Sequence, residues 1–179
     1  ATAAAAGTGT AVLRALNTST EMVTGALTVD TNVRMLGTIA AIDSRRLNSL
    51  TLESGGGVSI KSLDLLSIQS GGILTKAGNA GISGGVLSYA AGGVPLIIHT
   101  VGLASDNTTL TSLLQGGNGQ GNGNISFIKA GDGILTLQPG ASAITGVGGN
   151  IAGGQTLINQ GTLKMAGGNN TLHFNNFLS

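Results

Sequence analysis

The sequence predicts an all-β protein wound as a parallel β-helix, or β-solenoid, and three observations predict it. One short phrase recurs along the chain, glycine is frequent while proline and charge are scarce, and apolar residues alternate with polar ones in very short runs. Runs of three to five residues cannot each bury an apolar face alone, but stacked copies can.

The recurring phrase is clearest between Leu47 and Tyr89. Leu50-Thr51-Leu52-Glu53-Ser54-Gly55-Gly56 is echoed by Leu66-Ser67-Ile68-Gln69-Ser70-Gly71-Gly72. Looser copies follow at Ser83-Gly84-Gly85-Val86-Leu87-Ser88-Tyr89 and from Leu157 to Met165. Alternation places Leu50, Leu52, Val58, Ile60, Leu66 and Ile68 on one side. Thr51, Glu53, Ser59, Lys61, Ser67 and Gln69 then face water. The glycine pairs are expected at corners, where φ > 0 would strain a residue bearing a side chain.

Taken from its start, the chain is least regular before residue 42. Ala1 to Gly7 is a run of small residues, read either as the new N-terminus left by removal of a secretion signal or as an arbitrary fragment start. Val12 to Leu16 suits either a helical turn or an edge strand. Residues 1–31 are therefore assigned as an N-terminal segment, a candidate cap with a short helix, and residues 32–179 as the β-helix repeats. Ala26 to Val29 and Asn32 to Leu36 read as strands around a turn at Asp30-Thr31. Further on, Gly116 to Asn124 is a loop, and without an aspartate in it a calcium-binding β-roll is not expected. Ile125 to Lys129 and Ile134 to Leu137 read as strands, Gly140 to Gly154 as a connection, and Asn170 to Phe174 as a last strand.

Composition narrows the function. Charged residues are 8% of the chain and aromatics 2%, with a net charge of +1. A nucleic-acid partner would require a basic face with aromatic platforms. No cysteine is present, so neither disulfides nor thiolate metal sites are expected. No apolar run approaches the roughly 18 residues of a membrane helix, so this segment is not expected to insert into a membrane.

Residues Lys129, Gly131, Gly133, Leu135, Thr136, Leu137, Gly153, Gly154, Gly161, Thr162 and Leu163 resemble the autotransporter-associated β-strand repeat. That pattern runs lysine, Gly-x-Gly, Thr-Leu-x-Leu, a loop, Gly-Gly-Thr, then Gly-Thr-Leu. The chain departs from it at Gln155, where threonine is usual, and at Ile144-Thr145-Gly146, in place of Tyr-Thr-Gly. The resemblance implies a single-stranded, right-handed parallel β-helix in a secreted or surface-displayed bacterial protein. With no barrel read after Ser179, the segment is expected to be either an excised passenger or part of a protein that uses another export route.

Chemistry on such a scaffold would be that of a carbohydrate-active enzyme, either lyase-like or a glycoside hydrolase. Hydrolysis needs two carboxylates about 5–10 Å apart, drawn from Glu21, Asp30, Asp43, Glu53, Asp64, Asp106 and Asp132. The cluster Asp43-Ser44-Arg45-Arg46 reads as a solvated corner. His99 and His173 are solitary, which argues against a metal site. The sequons at Asn17, Asn107, Asn124 and Asn169 are expected to be chance. The expectation is therefore a non-enzymatic structural or adhesive module, extracellular or on the outer surface of a bacterium, with no catalytic, metal or cofactor residues assigned. Its expected partners are other copies stacked end to end into filaments, and surface glycans or other components of a host or neighbouring cell. Continuation of the same repeats in a longer chain is the alternative to stacking.

Overall fold

The computed structural model describes residues 17, 19–76, 78–89, 95–115, 125–140, 154–167, 171 and 176–178. Among the described residues eighteen strands wind through three walls, and every strand pairing is parallel. After β1 (Val23–Thr24), the first turn runs β2 (Asn32–Met35), β3 (Thr38–Ile42) and β4 (Arg45–Leu47). The second is β5 (Ser49–Leu52), β6 (Gly57–Ile60) and β7 (Leu65–Ile68). The third is β8 (Gly72–Lys76), β9 (Ala80–Ser83) and β10 (Val86–Tyr89), and the fourth β11 (Leu96–Val101), β12 (Asn107–Leu110) and β13 (Leu113–Gln115). Then β14 (Ile125–Ala130), β15 (Ile134–Leu137), β16 (Gly154–Ile158), β17 (Thr162–Met165) and β18 (Asn176–Leu178) continue the first two walls. The architecture is thus a parallel β-solenoid with four complete three-walled turns. Each return to a wall is a parallel crossover, which twisted strands almost always make right-handed.

The walls hold together because like residues stack on like. On the first wall Val33, Leu50, Ile73 and Ile98 are register partners in succession, and all are buried. On the second, Val58, Ile82, Leu110 and Leu137 do the same. On the third, Leu47, Ile68 and Tyr89 form the column. Each aliphatic side chain so buried contributes about 1.5–3 kcal/mol relative to exposure. The six residues expected to point inward, Leu50, Leu52, Val58, Ile60, Leu66 and Ile68, are all buried.

The echo of the phrase has an unexpected origin. Leu50-Thr51-Leu52 lies in β5 on the first wall, whereas Leu66-Ser67-Ile68 lies in β7 on the third. The two copies are different sides of one turn. True rung neighbours are Leu50 with Ile73 and Leu66 with Leu87. The corners behave as expected: Gly55, Gly71 and Gly84, each the first of its pair, have φ of 73°, 69° and 67°.

Ala26 to Val29 is not a strand; it is a bend and turn between Gly25 (φ 75°) and Asp30 (φ 58°), whose left-handed backbone interrupts an extended run. Leu27 nevertheless packs on the core. No helix occurs among the described residues, and the candidate helical turn at Val12 to Leu16 lies outside them. The Gly116 to Asn124 loop and all but the ends of the Gly140 to Gly154 connection also lie outside. Of the expected tail strand only Thr171 is described, and the strand found there is Asn176–Leu178.

Interior polar groups are few and nearly all satisfied. Thr108 Oγ1 donates to Thr75 Oγ1 at 2.8 Å inside the corner between the first and second walls. Among the described residues one buried side-chain oxygen, Ser112 Oγ, has no hydrogen-bond partner. A hydroxyl buried without a partner costs about 1–3 kcal/mol. Ser112→Ala is therefore expected to leave stability unchanged or raise it by about 1 kcal/mol, as read by urea denaturation. A loss beyond that would mean the hydroxyl has a partner.

Candidate functional site

With Leu50 and Leu52 directed inward, the alternate residues of β5 point away from the core. The outer face of the first wall therefore carries three columns. Asn32, Ser49, Gly72 and Ile97 form one by register, and Met22 precedes them beside β1. Arg34, Thr51, Leu74 and His99 form the second. Glu53 and Lys76, just beyond the Leu52–Thr75 partners, begin the third.

The first column dips because Asn32, Ser49 and Gly72 are short while Met22 and Ile97 are long. The result is a depression of about 500 Å³, lined by Met22, Ser49, Thr51, Gly72, Leu74, Lys76, Ile97 and His99. Thr51 lies in it and is only 7% exposed. The expectation that Thr51 is a water-facing residue is thus corrected, because Arg34 and Leu74 flank it on adjacent rungs. A smaller depression of about 250 Å³ on the second wall lies over Gly57 and Gly81, between Thr38, Ser83 and Thr109.

The corners hold the charges. Glu53 Oε1 accepts from Arg34 Nε at 2.7 Å and from Lys76 Nζ at 3.1 Å, clasping three successive rungs. Lys61 Nζ meets Asp43 Oδ1 at 2.6 Å, and Arg46 grips Asp30 with two nitrogens. Asp64 Oδ1 accepts from Ser44 N and Oγ at 2.9 and 2.6 Å. Asp106 accepts from Leu103 N at 2.7 Å, Glu21 from Asn17 N at 2.6 Å, and Asp132 from Gln160 Nε2. Glu53 and Asp64 follow different walls of the same turn and bind different partners.

These clasps make stability depend on acid. The hydrogen bond from Arg46 holds Asp30 below its ordinary pKa, and that from Lys61 does the same for Asp43. Partial burial opposes the shift at Glu53, but Arg34 and Lys76 together still lower it. A carboxylate whose folded pKa is depressed stabilises the fold above its unfolded pKa, about 4, and loses that contribution as pH falls through the folded value. Melting temperature is therefore expected to be level from pH 5 to 8 and to fall below pH 4. Glu53→Gln should reduce that acid sensitivity.

One charged group is inside. Lys129 extends the aliphatic column after Ile98 and is fully buried. Its Nζ donates to the carbonyls of Ala130, Gly131 and Gln160 at 2.9, 2.6 and 3.0 Å. Burial lowers its pKa, partly offset by Asp132. The ammonium thus ties the corner after β14 to the corner after β16. Gly161 (φ 77°) leaves room for it, since a Cβ there would come within 2.8 Å of Nζ.

Nothing in the sequence marked the depression, since it arises only when four rungs align. His99 stands exposed on its rim, and His173 lies outside the described residues. No cluster of metal-ligating side chains occurs among the described residues, and no described helix is long and apolar enough to cross a membrane. No family model, curated protein or solved structure matches the chain.

Proposed function

We propose that the chain is a non-enzymatic structural or adhesive module of a secreted or surface-displayed bacterial protein, related to autotransporter-associated repeats. The observation that carries this reading is the engagement of all seven carboxylates. Those whose acidity shifts move downward, opposite to the raised pKa of a glycosidase general acid. The relation to the repeat family draws support from Lys129, Gly131 and Gly161, motif positions that meet in one corner.

Self-association through the ends draws support from one end only. At the C-terminal side, β17 pairs, among the described residues, with β15 alone and exposes Met165. At the N-terminal side, β3 carries a bulge between Ile39 and Ile42, and β4 presents Arg45 and Arg46. Bulges and charge are the devices that keep edge strands from pairing. Surface glycans or components of neighbouring cells remain the proposed partners of the walls.

The test is incubation of the purified chain with acidic polysaccharides beside its Asp43→Asn and Glu53→Gln variants. No release of reducing or unsaturated ends is expected from any of the three. Turnover abolished by either substitution would establish the enzyme instead. Sedimentation across a concentration series tests the ends, and filaments are the outcome that end-to-end stacking requires.

A further inference from the structure

The depression on the first wall has a shape and a charge that select a ligand. It runs along the solenoid axis from Met22 past Ser49 and Gly72 to Ile97, which is four rung steps. At about 4.8 Å per rung, the slot is about 19 Å long. Its outward side chains are largely apolar, through Met22, Leu74 and Ile97. Ile97 is 37% exposed, so this apolar surface is open.

Charge distinguishes one side, where Lys76 stands at the far end of the Gly72 strand. Among the described lining residues Lys76 alone is charged, and no carboxylate lines the slot. Glu53, behind Lys76, is shared with Arg34, which leaves this trio with one net positive charge. An apolar slot with one net positive charge at its edge fits a narrow apolar tail with one negative head. We infer that the first wall binds a single-chain amphiphile with a carboxylate head, the tail lying over Gly72 towards Met22 and the head against Lys76. This goes beyond the proposed scaffold role and does not depend on it.

Gly72 makes the test clean. Its backbone is in an ordinary region, and an added Cβ would meet only Ser70 Oγ, at 3.4 Å. A side chain there therefore starts from a Cβ in open space and projects into the slot. The full chain is titrated calorimetrically with decanoate below its micelle concentration, and with decyltrimethylammonium as the cationic counterpart. Saturable one-site binding of decanoate is expected, at least tenfold tighter than the cation. Gly72→Leu should abolish it with an unchanged melting temperature, and Lys76→Gln should weaken decanoate about tenfold without weakening the cation. Should Gly72→Leu fail to fold, Ser49→Leu fills the slot one rung earlier and must also abolish binding. Absence of saturable binding, equal affinity for the two head groups, or undiminished binding by a folded slot-filled variant overturns the inference.

Discussion

Leu52→Asp is expected to abolish cooperative folding. Leu52 is wholly buried between its register partners Met35 and Thr75. The interior cation, Lys129, belongs to β14, three strands further along the wall, and is held by backbone carbonyls, so a carboxylate placed there must either stay protonated or lose its hydration, at a cost of several kcal/mol. Net stabilities of domains are only about 5–15 kcal/mol, and the damaged rung also withdraws support from both neighbours. Thr51→Asp, one residue away, should cost about 1–2 kcal/mol. Its side chain points outward, crowded but beside the Arg34 guanidinium on the adjacent rung. Circular dichroism melts of the two variants would decide the matter. Equal losses would place the strand in the opposite register.

Gly131→Ala should come next in severity, and Gly55→Ala should be mild although the two glycines share almost the same backbone. Their φ angles are 79° and 73°, so an alanine at either pays the left-handed cost of about 1–2 kcal/mol. Their surroundings differ. A Cβ at Gly55 meets nothing within 4 Å, whereas one at Gly131 collides with the carbonyl oxygen of Thr100 and with the His99 ring. It would also displace the Gly131 carbonyl from the Lys129 ammonium, leaving a buried charge with one acceptor fewer. A loss of about 4 kcal/mol or more is expected for Gly131→Ala, against about 1 kcal/mol for Gly55→Ala. Similar denaturant midpoints for the two would show that the corner relaxes around an added methyl group.

What could be read from sequence was whatever a few consecutive residues determine. The inward set from Leu50 to Ile68 followed from alternation, and the left-handed corners from paired glycines. Wall assignment was not legible, because the copies at Leu50 and Leu66 have the same local pattern and differ only in their partners across a rung. Thr51 was misread for the same reason: alternation gives direction, but its burial depends on Arg34 and Leu74 in other turns. Lys129 stood out as a motif residue, yet its third acceptor, the Gln160 carbonyl, is 31 residues away. The slot is the extreme case. Gly72 looked like half of a corner, and it opens a groove only because Asn32, Ser49 and Ile97 align with it.

The placement of the ion pairs gives the coil a weak end. Among the described residues, every ion pair joins rungs between Asp30 and Lys76, and the later rungs rely on threonine, asparagine and the Lys129 corner instead. Exposed pairs of this kind contribute about 0–1 kcal/mol each and are screened by salt, with a Debye length of about 3 Å at 1 M. Brine should therefore loosen the molecule from the Asp30 side while leaving the Lys129 side shut, so that it unravels in one direction. Amide exchange in high salt should quicken first in β2 to β5, and a uniform acceleration along the coil would deny it any such polarity.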